Sequence, residues 1–227
     1  MVTGAYARLS GVEVTRDGRT ILQDLNLTLS ESRIGIIGRN GSGKSSFVRL
    51  LNGLLMPDAG SIQVHDLDNP RHFRRHVGFV FQNPDNQIVY PQTREDIEFG
   101  LKNMGLDQAE IAQRVDIVLQ RFGLADLADR MTHQLSGGEK QLVALAGVVV
   151  MEPRLIVFDE PTTLLDHWNK AMFMQTVVKL EQPVVMVSHD LDLLSGFDRV
   201  IWFEQGRVIG DGAPGDIIPK YLSASQC

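Results

Sequence analysis

Gly38-Arg39-Asn40-Gly41-Ser42-Gly43-Lys44-Ser45-Ser46 is the stretch that decides the fold. It matches G-x-x-x-x-G-K-[ST], with an additional glycine at Gly41. A triphosphate held by backbone needs several N–H groups pointing inward at once. Glycine lets the chain turn that tightly and approach that closely. Lys44 has the reach for the β- and γ-phosphates, and the Ser45 hydroxyl suits Mg²⁺. Upstream, Arg33–Ile37 reads as an apolar strand. Downstream of Lys44, the residues Phe47, Leu50, Leu51 and Leu54 follow helical spacing. Strand, glycine loop and helix N-terminus in that order form an anion site. Gly38, Asn40, Gly41, Ser42, Gly43, Lys44, Ser45 and Ser46 are the expected phosphate-binding set.

Before this loop the chain reads as strands. Leu25, Leu27 and Leu29 alternate with polar residues, the period of a half-buried strand. Asp17-Gly18 is a hairpin turn signal. After the loop, Ser61–Val64 and Val77–Phe81 are strand candidates. A helical stretch follows. Thr93-x-x-Asp96 opens one helix, which Gly105 stops, and Asp107-x-x-Glu110 is a capping box for the next, which Gly123 stops. Beyond residue 150, strands and helices alternate: Leu155–Phe158, Asp166–Leu180, Val184–Val187, Leu191–Gly196 and Val200–Phe203. That alternation is the pattern of a parallel α/β sheet.

Composition narrows the function. The chain has 227 residues, enough for a sizeable core. Its formal net charge of −6 argues against nucleic acid as the main partner. The single cysteine, Cys227, permits no intrachain disulfide and fits a reducing compartment. Met1–Ser10 lacks the pattern of a secretory signal. No apolar run approaches the ~18 residues of a membrane helix, so a membrane role has to come through a partner.

Three further stations carry chemistry. Leu155–Phe158 is an apolar strand ending in Asp159 and Glu160. Ligands in such sheets sit outside the carboxyl ends of the strands. Asp159 is placed to hold Mg²⁺, and Glu160 to deprotonate an attacking water. Leu135-Ser136-Gly137-Gly138-Glu139 precedes a helix that runs to about Met151. Ser136 and Glu139 read as a cap. The two glycines read as a second anion site at a helix N-terminus. Gln82 and His189 each follow an apolar strand, a position that by itself is most often structural.

Taken together and in this order, these residues resemble an ATP-binding-cassette (ABC) ATPase over nearly the whole chain. Gly38–Ser45 is similar to the family's Walker A loop, Gln82 to its Q-loop and Leu135–Glu139 to its signature motif. Leu155–Glu160 is similar to Walker B, Pro161–Asp166 to the D-loop and His189 to the switch histidine. The resemblance implies an α/β fold: a P-loop NTPase core over 1–82 and 151–227, with an N-terminal antiparallel β subdomain, and an inserted α-helical subdomain over 83–150. It implies that two subunits sandwich two ATP head to tail; since one chain holds every station, a homodimer is favoured over a heterodimer. Lys44, Ser45, Gln82, Asp159, Glu160 and His189 of one would then face Ser136, Gly137 and Gly138 of the other, with Asp166 communicating across. Glu160, His189 and Lys44 are the implied catalytic groups. Ser45, Gln82 and Asp159 are the implied Mg²⁺ ligands.

A narrower resemblance lies in Phe81-Gln82-Asn83-Pro84-Asp85-Asn86-Gln87 and Ala144-Leu145-Ala146-Gly147-Val148, similar to energy-coupling-factor importers of vitamins and transition-metal ions. The short tail after Leu222, with Glu139-Lys140-Gln141-Leu142, resembles the biotin-type ATPase subunit, then the cobalt and nickel type. The implied partners are a membrane-embedded coupling subunit, a solute-binding subunit and a second ATPase subunit. The implied location is peripheral, on the cytoplasmic face of the inner membrane. The alternatives are another ABC importer class, or a soluble ABC ATPase acting on nucleic acid or ribosomes. The chain departs from the family pattern in three places. Arg16 stands where an aromatic residue stacks on adenine, Leu164 where the D-loop has glycine, and Leu142 where arginine is frequent.

Overall fold

The computed structural model describes residues 4–225; Cys227 lies outside them. In chain order the elements are β1 (Ala7–Arg16), β2 (Arg19–Leu29), β3 (Arg33–Ile37), α1 (Lys44–Leu51), β4 (Ala59–Val64), β5 (Val77–Val80), α2 (Thr93–Met104), α3 (Gln108–Arg121), α4 (Gly137–Val149), β6 (Leu155–Asp159), α5 (His167–Val178), β7 (Val184–Val187), β8 (Arg199–Glu204), β9 (Arg207–Gly212) and α6 (Pro214–Ser225). Short 3₁₀ turns lie between them. The chain divides into two compact units. Within the described residues the first takes 4–77, 154–160 and 182–225, and the second takes 78–153 and 161–181. Among the described residues, no helix is long and apolar enough to cross a membrane.

The first unit holds two sheets. β2, β1 and β4 form an antiparallel sheet, with β1 central. Its turn is the expected Asp17-Gly18, both at positive φ. In the second sheet β6, β7, β3 and β8 are parallel neighbours in that order, and β9 adds an antiparallel edge. Ile34, Ile36, Ile156, Val157, Val185 and Val187 are fully buried. Such strands have both faces covered, which is why they read as unbroken apolar runs. β3 lies between β7 and β8, so the loop leaving its carboxyl end opens at the middle of the sheet.

The second unit packs α2 and α3 with α4, and α5 against α4. Ile97, Leu101, Val115, Leu145 and Phe173 fill its core. Two caps differ from the sequence expectation. Thr93 is the first residue of α2 rather than its cap, and Gln92 precedes it. Asp96 turns back instead, its Oδ1 accepting from the amides of Val89 and Tyr90 at 2.7 and 2.9 Å. Asp107 does cap α3 through the Glu110 amide. The Glu110 carboxylate goes to Arg114 at 2.7 Å, one turn along, so half of the expected box is spent on an ion pair. Leu191–Gly196 contracts to the 3₁₀ turn Leu191–Leu194. Ser195 Oγ donates to the Asp192 carbonyl at 2.7 Å, a local bond that competes with continued helix. The edge strand β9 and the helix α6 have no counterpart in the sequence reading.

Candidate active site

The site in the first unit starts at the end of β3. The loop from Gly38 to Gly43 wraps back onto the N-terminus of α1. Gly43 stands before the helix at φ +104°, and a Cβ there would lie 2.7 Å from Leu22 Cδ2. Only glycine fits that close, left-handed turn. Lys44 is 4% exposed, with Nζ donating to the carbonyls of Gly38 at 2.8 Å and Arg39 at 3.0 Å. Burial pulls its pKa down from the ordinary lysine value, while Glu160 and Asp159 push it back up. The Ser42 hydroxyl is buried with no hydrogen-bond partner among the described residues. A buried hydroxyl without a partner is costly, and here it sits inside the loop that would hold phosphate. Asn40 and Gly41 are exposed, and Ser46 is half-buried.

β6 brings the carboxylates to the same place. Ser45 Oγ donates to Asp159 Oδ1 at 2.8 Å, and Arg49 Nη2 lies 3.5 Å from Asp159 Oδ2. Burial raises the Asp159 pKa, and the Ser45 bond and Arg49 lower it. A hydroxyl and a carboxylate oxygen this close form a donor pair suited to a hard cation such as Mg²⁺. A divalent ion completes its shell with phosphate oxygens and water. Glu160 follows at φ +54°, its amide bonded to the Val187 carbonyl at 3.1 Å. That backbone is unusual for a non-glycine residue, and such strain gathers at functional sites. His189 Nε2 meets Glu160 Oε1 at 2.7 Å. The glutamate side chain is 14% exposed, and the histidine 41%.

Lys44, Ser45, Asp159, Glu160 and His189 therefore converge at the carboxyl ends of three neighbouring strands. Two residues escaped the sequence reading. Arg49 sits one turn beyond Ser45 on α1, a spacing that could have signalled it. Ser188 has its amide on the Ile36 carbonyl, and its Oγ accepts from the Asp190 amide at 3.0 Å, fixing the turn that carries His189. Arg16 is not part of this gathering. It stands exposed at the end of β1, opposite Arg19, with a long 3.5 Å bond to the Thr15 carbonyl.

The other candidates lie in the second unit. Ser136 and Glu139 form a complete capping box: Ser136 Oγ accepts from the Glu139 amide at 3.3 Å, and the Ser136 amide donates to Glu139 Oε2 at 2.7 Å. The two glycines have different reasons. A Cβ on Gly138 would collide with Asn169 Oδ1, so Gly138 lets α4 approach α5. Asn169 is fixed by Asp166, which caps α5 and takes both the Asn169 amide and Nδ2 at 2.8 and 2.9 Å. Gly137 has open space around it.

Gln82 is exposed just after β5. The segment behind it is fastened to α4 by three side chains. Gln87 accepts from the Phe81 amide at 3.1 Å and donates to the Ala144 carbonyl at 2.8 Å. Gln141 donates to the Phe81 carbonyl at 3.2 Å, and Lys140 pairs with Asp85 at 2.7 Å. Beside it an open groove of about 240 Å³ is lined by Ile88, Val89, Tyr90, Thr132 and His133, with Asp85 and Lys140 at its rim.

Comparison with known proteins agrees with this geometry. The family model described as ABC transporter matches residues 22–163. A biotin transport ATP-binding protein of Rhodobacter capsulatus, BioM, is 44% identical over 95% of this chain and 93% of its own length. An energy-coupling factor transporter ATP-binding protein of Caldanaerobacter subterraneus, EcfA1, is 41% identical over 88% of this chain and 76% of its own. The solved structure of cbiO1 from Clostridium perfringens, part of the ABC transporter complex cbiONQ, superposes with a TM-score of 0.87 at 33% identity. It covers 98% of this chain and 94% of that one. A phosphate loop with carboxylates at the adjoining strand ends, matched across most of two relatives' lengths, leaves one assignment: the chain belongs to the ATP-hydrolysing, ATP-binding subunits of ABC transporters.

Proposed function

We propose that this chain is the ATP-hydrolysing subunit of an energy-coupling-factor importer, and that the imported solute is biotin. One observation carries the hydrolytic role: the Glu160 carboxylate held 2.7 Å from His189, one residue past the Asp159–Ser45 pair. In this reading Lys44 leaves the Gly38 and Arg39 carbonyls for the β- and γ-phosphates, and the loop amides hold the remaining oxygens. Ser45 and Asp159 would hold Mg²⁺, with Gln82 as a further ligand, and the ion would supply positive charge against the phosphates. Glu160 takes a proton from the water that attacks the γ-phosphorus, and the β–γ bridging oxygen leaves with ADP. His189 keeps the carboxylate aimed.

The capping box explains how the second station would act. Ser136, Gly137 and Gly138 would meet the nucleotide bound by a second copy, and Asp166 would set α5 against them through Asn169. Arg16 would stack its guanidinium plane on adenine. The segment Asn83–Gln87 and the neighbouring groove would receive a membrane-embedded subunit. A solute-binding membrane subunit would complete the complex, with this chain peripheral on the cytoplasmic face of the membrane. Support for biotin over a metal ion comes from the similarity to a biotin transport protein.

The test is uptake by the assembled complex. Cells carrying this chain with its membrane subunits should accumulate labelled biotin, and a Glu160→Gln chain should not support it. ATP-dependent uptake of cobalt or nickel with no biotin uptake would overturn the solute. Full uptake with Glu160→Gln would overturn the mechanism.

A further inference from the structure

The turn between β8 and β9 touches the phosphate loop. The Gly206 amide donates to the Ser42 carbonyl at 3.0 Å, and the Gly206 carbonyl accepts from the Gln23 amide of β2 at 2.9 Å. Gly206 is at φ +78°, and a Cβ there would collide with the Ile21 carbonyl. From the other side, a Cβ on Gly38 would collide with the Phe203 carbonyl, while Phe203 packs its ring 5.0 Å from Phe47 of α1. The turn is itself held. Gln23 Oε1 accepts from Arg207 Nε at 3.1 Å and Nη2 at 2.9 Å, and Gln23 Nε2 donates to the Gln205 carbonyl at 3.3 Å.

These contacts have one direction in common. A loop that cradles phosphate has to present amides inward. Its carbonyls take donors of their own, those of Gly38 and Arg39 accepting from Lys44 Nζ. Ser42 finds its donor in Gly206, and Gly206 is clamped between Ser42 and Gln23. The sequence places the turn far from the loop, and no phosphate-binding pattern includes it.

We propose that Gln205–Arg207 is a positioning device for the phosphate loop, with Gly206 as the contact and the Gln23–Arg207 pair as the clasp that keeps it in place. The proposal rests on the reading of Gly38–Ser46 as the nucleotide's phosphate cradle. None of the three residues need touch nucleotide. They act by fixing the Ser42 peptide, so their loss should weaken nucleotide binding more than it slows turnover.

The experiment is nucleotide affinity of the full chain by titration with Mg-ADP, alongside urea unfolding without nucleotide and the KM and kcat of the assembled transporter. Wild-type binding tests the cradle; the variants test the clasp. Arg207→Ala and Gln23→Ala should each raise the ADP Kd and the ATP KM about five- to tenfold, the scale of one or two lost hydrogen bonds. The unfolding midpoint and kcat should stay close to wild type. The double variant should be no weaker than either single, since both break one clasp. Gln23→Glu keeps the acceptor for Arg207 but loses the donor to the Gln205 carbonyl, so it should restore part of the affinity lost in Gln23→Ala. If an alanine variant fails to fold, Arg207→Lys and Gln23→Glu carry the test, both weaker than wild type in Kd, with Gln23→Glu the milder because it keeps the Arg207 acceptor. Hydrogen exchange at the Gly206 amide should quicken in Arg207→Ala. A wild-type chain that binds no ADP overturns the cradle and with it this proposal. Unchanged Kd in folded Arg207→Ala and Gln23→Ala overturns the clasp alone. So does a Kd that rises only in step with lost stability and is not restored by Gln23→Glu.

Discussion

α1 follows Gly41-Ser42-Gly43, and α4 follows Ser136 and opens on Gly137-Gly138, yet the two N-termini are finished differently. At α1, Gly43 supplies no side-chain cap, the first turn carries no acid, and Lys44 adds a positive charge. At α4, the Ser136–Glu139 box bonds the amides of Ser136 and Glu139 within the chain, and Glu139 places a negative charge in the first turn. A helix N-terminus attracts anions through its dipole and its unpaired amides. α1 keeps both assets for a ligand. α4 spends part of each on itself. On the proposed function, α1 would be the strong phosphate site and α4 a weaker station, which suits a terminus that would close over a nucleotide already held by another copy.

The largest break in this comparison comes from the chemistry on the α1 side. Glu160→Gln keeps the side-chain shape and the His189 contact but removes the base. Turnover should fall ~10²–10⁴-fold with ADP affinity retained, measured as phosphate release and nucleotide titration on the same preparation. The next effect lies on the α4 side. Gly138→Ala sets a methyl against Asn169 Oδ1 and displaces the start of α4 or α5. A displacement near 1 Å costs turnover about 10²-fold, while ADP binding by the isolated chain should be unchanged. A matching loss of ADP affinity would show that α4 serves its own chain's nucleotide and would remove the distinction.

Docking is tested at Val89, which is 67% exposed at the groove. Val89→Asp should reduce co-purification of the membrane subunit about tenfold, the loss of one contact residue, with ADP binding intact. Charge reversal at Asp85 is a poorer probe, because it would set a lysine against Lys140.

The smallest effect is on stability. The Ser136 backbone and side chain hold the Glu139 carboxyl below its ordinary pKa. A depressed carboxyl stabilises the fold above its unfolded value of about 4.3 and loses that contribution as pH falls through the folded value. Glu139→Gln keeps a capping-box acceptor and loses only the charge, so it should lower unfolding free energy by about 0.3–1 kcal/mol at pH 7. In repeated unfolding titrations the gap should narrow once the pH falls below the unfolded value and close beneath the folded one. A gap that persists there would mean that the charge does not matter to the box.

What the sequence made legible follows from physics that is local. β3, β6 and β7 are buried on both faces and read as apolar runs; the phosphate loop is contiguous; the Ser136 box spans one helical turn. Their ends then place Lys44, Asp159, Glu160 and His189 close together without further information. What stayed hidden depends on contacts between distant stretches. Asn169 explains Gly138, but nothing near Gly138 signals it. β9 carries Gly210, Asp211 and Gly212, a composition that reads as loop, and is a strand because β8 offers its open edge. The bond from Gly206 to Ser42 joins residues at opposite ends of the sequence. The positive φ of Glu160, at the point where β6 ends with its amide on the Val187 carbonyl, has no signal in the residue type.

The division of one phosphate site between two copies is tested most directly by complementation. A Lys44→Ala chain keeps its Ser136 station, and a Ser136→Arg chain keeps its phosphate loop; each should be inactive alone. Assembled as a mixed dimer, confirmed by two different affinity tags recovered together with the membrane subunits, the pair contains one intact site. ATP hydrolysis should return to about half the wild-type rate, one competent site of two. A verified mixed dimer with no hydrolysis above the single variants would contradict that division.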